Sequence, residues 1–260
     1  MPSAFYTQDG DRLVPSELTR GPWDPDAQHA GPPAALLGRA VERCEPRDDM
    51  QVGRITFEIL GPVPLAPVEV RARVARPGRS VELLEASLSG PDGEVMRATA
   101  WRLRAGEVPA RAEPETAPPG PDQGATREFF ETRQSVGYHI AIEWLFIRGA
   151  FREPGPATVW MRMRVPLVEG EEPSPLERVL VAADSGNGIS AELDYHDYLF
   201  INTDLSVHLV RMPVGDWVCL DSTTYVDGLG LTDTEIWDQR GRIGRAAQTL
   251  LVRRRPVAGA

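Results

Sequence analysis

Two segments of this chain repeat at a fixed interval of 148 residues. A shift by that interval places PPAALLG (32–38) over LVAADSG (180–186), and GEVMRATAWRL (93–103) over GRIGRAAQTLL (241–251). Identities fall at the paired alanines, at a glycine and at an Arg-Ala pair. Two segments in one register, with matching elements between them, predict an internal duplication. The alternative is two unrelated halves that each contain helix and sheet.

Each half shows the pattern of one helix followed by several long strands. In the first half the helix is predicted at 31–44, and the strands at 52–60, 68–76, 80–90 and 94–104. In the second half the helix is predicted at 174–186, and the strands at 200–210, 216–226, 230–241 and 242–254. Ser174, Pro175 and Glu177 form a capping-box pattern at the start of the second helix. The absence of βαβ alternation predicts an α+β fold in which an antiparallel sheet wraps around each helix.

Composition marks a boundary between the halves and narrows the function. Residues 106–125 are rich in Pro, Gly and acidic side chains and predict a linker between units 1–105 and 126–260. The net charge of −10 argues against nucleic acid as a partner. No apolar run has transmembrane length and no secretory signal is visible, so we expect a cytoplasmic protein with no membrane partner. The two cysteines match no metal-binding spacing, and we expect no metal.

The duplication isolates polar residues that only the second half carries. Asp184 falls opposite Leu36, Gln248 opposite Ala100, and Asn202 opposite Arg54. If both halves share one architecture, Asp184 and Gln248 occupy enclosed positions that the first half fills with apolar side chains. Periodicity agrees, since Asp184 lies at the edge of the apolar helix face and Gln248 points the same way as Ala246, Leu250 and Val252. Asn202 shares a strand face with Asp204, Ser206 and His208, so it can also be a solvated residue.

With these residues identified, the sequence resembles the TesB-like acyl-CoA thioesterases of the double-hotdog type. The resemblance rests on the helix end AADSGNG, the strand INTDLSVHL followed by Arg211, and the final GRAAQTLL. It implies an α+β double hotdog with two antiparallel sheets, each wrapped around a central helix. It also implies that Asp184, Asn202 and Gln248 hold the hydrolytic water. Asn202 departs from the hydroxyl residue that this family usually carries there, and Thr203 is the neighbour that could substitute for it.

The residue types suit hydrolysis of a thioester. A carboxylate can orient water and accept its proton, while amides hold the water without adding charge. Backbone N–H groups at a helix start can stabilise the developing oxyanion. Gly31 allows a close backbone approach at the start of the first helix, and His29 just before it is a candidate for lining the site; Pro32 and Pro33 contribute no N–H.

Rival functions stay open at this point. The chain contains no G-x-S-x-G elbow, H-E-x-x-H, C-x-x-C, P-loop or dinucleotide fingerprint. A hotdog hydratase or dehydratase would need a His–Asp or His–Glu pair beside a helix, and His29 is the histidine nearest a helix start. A non-catalytic binder of acyl thioesters and a structural partner in an assembly are further alternatives. The thioesterase prediction includes an acyl-CoA substrate, no cofactor and a homo-oligomer, a dimer, as the assembly. Any CoA site needs a local arginine cluster, for example among Arg240, Arg242 and Arg245.

Overall fold

The structure is a computed structural model that describes residues 2–22, 24–106, 116–129 and 134–255. The first half forms β1 (Tyr6–Asp9), β2 (Arg12–Pro15), α1 (Gly31–Arg43), β3 (Met50–Ile59), β4 (Val68–Arg76), β5 (Val81–Gly90) and β6 (Gly93–Arg104). The second half forms α2 (Tyr138–Ala141), β7 (Ile142–Ala150), β8 (Glu153–Met163), α3 (Pro175–Ala183), α4 (Gly186–Ile189), β9 (Tyr198–Asn202), β10 (Asp204–Leu209), β11 (Val218–Asp227), β12 (Leu229–Asp238) and β13 (Gly241–Arg254). Short 3₁₀ turns lie at Glu17–Thr19 and Pro121–Gln123.

The strands belong to one continuous antiparallel sheet rather than to two. Their order is β1-β2-β4-β5-β6-β3-β10-β13-β12-β11-β8-β7, and β9 also pairs with β13. The expectation of two separate sheets is therefore corrected. β3 and β10 pair over residues 54–58 and 204–208, and this backbone hydrogen bonding joins the two halves edge to edge. The join removes the exposed edge strand that each half would otherwise present.

The strand order is symmetric about the β3–β10 pair, as a duplication predicts. β4, β5 and β6 on one side correspond to β11, β12 and β13 on the other. Leu84 pairs with Ala100 between β5 and β6, and Thr232 pairs with Gln248 between β12 and β13. Both members of the second pair lie 148 residues beyond those of the first. Residues that are 148 positions apart in the sequence therefore occupy equivalent positions in the strand pairing.

The two helices pack against each other because α1 carries small residues where they meet. A Cβ added to Gly31 would lie 2.4 Å from the carbonyl oxygen of Val181, and one added to Gly38 would lie 2.3 Å from Leu180 Cδ1. The predicted apolar face of α3, formed by Leu176, Val179, Leu180 and Ala183, is fully buried. The close contact brings the first residues of α1 beside the C-terminal end of α3.

The start of α3 follows the sequence prediction. The Ser174 hydroxyl accepts a hydrogen bond from the Glu177 N–H at 3.1 Å, and the Ser174 N–H donates to Glu177 Oε2 at 3.2 Å. This reciprocal pair satisfies two amides that a helix start leaves without partners. The predicted capping box is confirmed, and it sets where α3 begins.

The described end of the predicted linker packs against the second half. Trp160 Nε1 donates a hydrogen bond to the carbonyl oxygen of Pro119 at 2.7 Å. Ala125 and Phe146 exchange two backbone hydrogen bonds, at 2.9 and 2.8 Å. Residues 107–115 of the predicted linker lie outside the described residues. The division into units 1–105 and 126–260 stays a prediction.

Candidate active site

Asp184 is the residue that ends α3, and its side chain is directed into the protein. It occupies the C-cap position, with φ −69° and ψ −10°, and only 5% of its surface is exposed. The C-terminal end of a helix carries a partial negative charge, so it disfavours a carboxylate at this position. The neighbouring groups must therefore supply the stabilisation that solvent and helix do not.

A break between two strands brings Asn202 to this carboxylate. The sequence predicted one strand over 200–210, whereas the structure forms β9 and β10 with Thr203 between them. Phe200 is buried in β9 and Leu205 in β10, so the inward-facing set changes from even to odd positions at the break. Asn202 consequently faces inward, and its Nδ2 donates to Asp184 Oδ1 at 2.8 Å. The polar strand face predicted for Asn202 applies only to β10.

Gln248 reaches the same carboxylate from β13. It is 1% exposed, and its Nε2 lies 3.3 Å from both the carbonyl oxygen and Oδ1 of Asp184. Its Oε1 accepts a hydrogen bond from the Asn187 N–H at 3.1 Å. All polar atoms of the Gln248 amide therefore have partners, which fixes its orientation. The structure brings together the three residues that the resemblance singled out.

The start of α1 completes the cluster from the first half. Hydrogen bonds from the Ala30 and Gly31 amides lower the pKa of Asp184. The Gly31 N–H also donates to His29 Nδ1 at 3.1 Å, so two acceptors share it. His29 Nδ1 lies 3.2 Å from Asp184 Oδ2. Because burial lowers the pKa of His29 to about 3, the imidazole is neutral near pH 7 and this contact is not an ion pair.

Burial dominates the acidity of Asp184. Loss of solvent raises its pKa from 3.8 to about 7, although the hydrogen bonds from Asn202 and from the Ala30 and Gly31 amides act in the opposite direction. A carboxylate with a pKa near neutrality can accept a proton from water and return it in a later step. The cluster therefore has the properties of a general acid–base site.

An aromatic pocket lies against this cluster, and His29 forms part of its wall. Its cavity is about 40 Å³. The rings that line it are His29, Phe129, Tyr138, His139, Trp144 and Phe151. The His29 and Tyr138 rings stack with centroids 3.8 Å apart and planes 9° apart. The Tyr138 hydroxyl donates to the Val181 carbonyl oxygen at 2.6 Å and contacts Ser185 Oγ at 3.0 Å, which holds its ring in place. The rings thus form a preorganised wall beside Asp184.

Sequence reasoning missed this wall because its members come from segments that carry no motif. Tyr138 lies on the four-residue helix α2, 46 positions before Asp184. Phe129 and Phe151 lie on either side of it in sequence and were not singled out. Trp144 lies in β7 and likewise belongs to no motif. The high aromatic content of residues 129–151 is the one signal that could have pointed to a pocket.

Two other sets of predicted residues lie away from the cluster. Thr203 is exposed, and its N–H donates to the Thr249 carbonyl oxygen at 3.1 Å, so the strand break turns it to the outer face. Of the arginines suggested for a CoA site, Arg242 pairs with Glu235 at 3.1 Å and Arg245 with Asp233 at 2.8 Å. Acidic partners already compensate these two charges.

Two further observations concern metal binding and the crossing of a membrane. Across residues 2–22, 24–106, 116–129 and 134–255, no three His, Cys, Asp or Glu side chains are arranged to hold a metal ion. In the same ranges, no helix combines the length and the apolar composition that are needed to cross a lipid bilayer.

Two sequence-family models match this chain, one to each half. The acyl-CoA thioesterase N-terminal domain matches residues 19–103, and the acyl-CoA thioesterase C-terminal domain matches residues 109–252. The chain belongs to the acyl-CoA thioesterase family. The protein is accordingly a thioester hydrolase with a TesB-like domain pair. No curated protein sequence matches it.

Three solved structures illustrate how far the likeness of fold extends. One is a protein from Thermobifida fusca YX, provisionally described as a thioesterase II, with 18% identity over 98% of this chain and 96% of its own, and a TM-score of 0.75. A hot dog fold protein of unknown function from Alicyclobacillus acidocaldarius has 17% identity over 97% and 96%, and a TM-score of 0.69. An acyl-CoA thioesterase II from Mycobacterium marinum has 16% identity over 90% and 92%, and a TM-score of 0.64. At these identities the likeness establishes the hotdog fold of the thioesterase and nothing finer.

Proposed function

We propose that this thioesterase hydrolyses acyl-CoA with a water molecule held by Asp184, Asn202 and Gln248. The observation that carries the proposal is the hydrogen-bonded cluster itself. Two amides from different strands converge on one buried carboxylate whose pKa lies near 7. A carboxylate with this pKa can exchange a proton at neutral pH, and its donors hold it in a fixed position.

The free polar atoms of the cluster indicate how water would bind. Asn202 Nδ2 is engaged with Asp184 Oδ1, while its Oδ1 has no hydrogen-bond partner among the described residues and is not a fully buried atom. A water between Asn202 Oδ1 and the Asp184 carboxylate can donate one hydrogen bond to each. Its lone pair is then directed away from both acceptors and toward a bound thioester. Gln248 carries no free donor, so its role in this mechanism is to orient Asp184.

The reaction proceeds in two steps. Asp184 takes a proton from the water as its oxygen bonds to the carbonyl carbon, which gives a tetrahedral intermediate with a negatively charged oxygen. The intermediate then collapses, the C–S bond breaks, and the CoA thiolate leaves with the proton that Asp184 returns. The products are the free acid and CoA thiol, and no covalent enzyme intermediate forms.

The aromatic pocket is the proposed receptor for the acyl group. It shares His29 with the cluster, and its lining includes Ser185 and Asn187, which follow Asp184 within three residues. A water-sized group needs about 10–15 Å³ of such cavity volume, so 40 Å³ accommodates about three heavy atoms. The size favours the shortest acyl groups, such as acetyl, which has three heavy atoms. The expected homodimer stays a prediction, which sedimentation velocity tests.

The test is a thiol-release assay with acyl-CoAs from acetyl to palmitoyl. We expect turnover by the native chain, strongest for the short acyl groups, and a loss of about 100-fold or more for Asp184→Asn. Asp216→Asn is the matched control, because Asp216 is an exposed acid that lies 3.6 Å from Arg178. Binding of acyl-CoA without thiol release by the native chain would instead identify a non-catalytic binder.

A hotdog hydratase is the second candidate, and one observation favours it. His29 and Asp184 contact each other beside a helix start, as such an enzyme would need. Crotonyl-CoA separates the two functions. A hydratase removes the conjugated double bond without releasing thiol, whereas a thioesterase releases thiol and leaves the double bond in place.

A further inference from the structure

The start of α1 cannot supply the oxyanion site that the sequence suggested. Pro32 and Pro33 have no N–H, so the Ala30 and Gly31 amides are the donors available at this end. Both amides already face the Asp184 carboxylate, and the Gly31 N–H is shared with His29 Nδ1. A negative oxygen that develops on the substrate therefore needs another donor.

We propose that His29 is that donor, and that its Nε2–H binds the carbonyl oxygen of the thioester. This inference rests on the proposed hydrolysis and adds a catalytic residue from the first half of the chain. The imidazole acts as a neutral hydrogen-bond donor, not as a base. It strengthens its bond to the substrate oxygen as negative charge develops there.

The position of the imidazole proton follows from the contacts of Nδ1. Nδ1 faces two groups, the Gly31 N–H at 3.1 Å and Asp184 Oδ2 at 3.2 Å. We assign the lone pair to Nδ1 and the proton of the neutral ring to Nε2, because this tautomer accepts the Gly31 N–H; a proton on Nδ1 would donate to Asp184 and leave Nε2 without one. Burial keeps the ring neutral by lowering its pKa to about 3. A neutral ring is suited to this role, since an imidazolium would form an ion pair with Asp184 and lower the basicity of that carboxylate.

Nε2 is also free to meet a ligand. Within the described part of the chain it has no hydrogen-bond partner. The fully buried side-chain polar atoms that lack a partner in that part are Arg54 Nε and Trp237 Nε1, so Nε2 of His29 has accessible surface. The ring lines the aromatic pocket, and 14% of the side chain is exposed. A donor without a partner at the wall of a pocket is available to a carbonyl oxygen.

The surroundings of the ring preorganise it for this purpose. Tyr138 stacks on one face at 3.8 Å, and the Tyr138 hydroxyl is itself anchored on the Val181 carbonyl oxygen. The backbone N–H of His29 donates to the Thr19 carbonyl oxygen at 2.7 Å. With Nδ1 held at one edge and a ring stacked on one face, Nε2 has a fixed direction. A fixed donor stabilises charge without the reorganisation that solvent would require.

In the balanced reaction His29 neither gains nor loses a proton. The water oxygen bonds to the carbonyl carbon, and its proton passes to Asp184. The C=O electron pair moves onto the oxygen, which the Nε2–H holds. That pair then re-forms the C=O bond as the C–S bond breaks, and the CoA thiolate leaves with the proton from Asp184.

The kinetic test compares two substitutions of different chemistry. His29→Phe keeps a ring that can stack on Tyr138 but has no donor, so kcat should fall about 100- to 1000-fold with KM changed little. His29→Gln places an amide N–H near the position of Nε2 and should recover at least a tenth of the lost rate. His208→Phe, at an exposed histidine on β10, is the matched control and should leave the rate unchanged. In both His29 variants the pH–rate profile should keep a rising limb, because Asp184 remains the base.

Each alternative role of His29 gives a different result. A wild-type rate in His29→Phe overturns the proposal while Asp184→Asn still tests the hydrolysis separately. If His29→Gln is as inactive as His29→Phe, the imidazole transfers a proton and the donor role is wrong. A role that is only structural would lower the melting temperature and kcat together.

A second measurement does not depend on turnover. A ketone analogue of acetyl-CoA, with CH₂ in place of the thioester sulfur and ¹³C at the carbonyl, is bound to the native chain and to His29→Phe. Polarisation by the Nε2–H should move the bound carbonyl resonance downfield in the native chain and not in the variant. Equal shifts in both proteins would overturn the proposal even if no substrate for hydrolysis is found.

Discussion

Replacing Asp184 with Asn should lower the rate of hydrolysis about 100-fold or more and, at alkaline pH, make the protein more stable. Burial raises the pKa of this carboxyl from 3.8 to about 7. At about 1.4 kcal/mol for each tenfold change in the ionisation equilibrium, the ionised side chain destabilises the folded state by about 4 kcal/mol. An Asn side chain carries no such penalty. Its single amide oxygen cannot serve both Asn202 and the α1 amides, however, which removes about 1–3 kcal/mol of the gain.

The sign of the pH dependence follows from proton binding. Between pH 3.8 and about 7 the folded state holds a proton on Asp184 that the unfolded state has lost. The contribution of this group to stability therefore falls as pH rises through that window, and its full penalty is present above it. The stability difference between Asp184→Asn and the native chain should grow by about 3 kcal/mol from pH 5 to pH 9.

Urea unfolding at the two pH values measures this difference, and thiol release measures activity. Each kcal/mol corresponds to about 2–4 °C in melting temperature for a chain of this size, so calorimetry gives an independent check. Asp216→Asn should show neither the gain in stability nor the loss of activity. A stability difference that does not change between pH 5 and pH 9 would refute the argument that Asp184 is a desolvated carboxylate with a raised pKa.

Three further predictions concern the surroundings of Asp184. Asn202→Thr should keep much of the activity, because a hydroxyl can replace one amide hydrogen bond, whereas Asn202→Ala should lose more. Equal rates of hydrolysis for both variants and the native chain would place Asn202 outside the site. Phe151→Leu should enlarge the aromatic pocket and raise kcat/KM for hexanoyl-CoA relative to acetyl-CoA about tenfold. An unchanged ratio of the two kcat/KM values would exclude this pocket as the acyl site. Gly31→Ala should destabilise the fold by about 1–3 kcal/mol in urea unfolding, since its Cβ would lie 2.4 Å from the Val181 carbonyl oxygen; wild-type stability would contradict the close helix contact.

Local patterns in the sequence determined the features that depend on neighbouring residues. The capping box of Ser174 and Glu177 needs only a four-residue motif, and the buried face of α3 needs only helical periodicity. The 148-residue repeat predicted equivalent strands, because duplicated sequence carries the same alternation and the same turns. The same comparison isolated Asp184 and Gln248, since polar residues stood out at positions that the other half makes apolar.

Tertiary structure alone decided where the other groups of the site meet. Whether two duplicated sheets stay separate or join depends on edge pairing, and the β3–β10 ladder joins them. The interruption at Thr203 reverses which strand positions face inward, so the position of Asn202 could not be derived from alternation across one continuous strand. His29 and Tyr138 stack although more than a hundred positions separate them in the sequence. Side-chain periodicity records which face of an element is buried, but not which distant side chain it meets there.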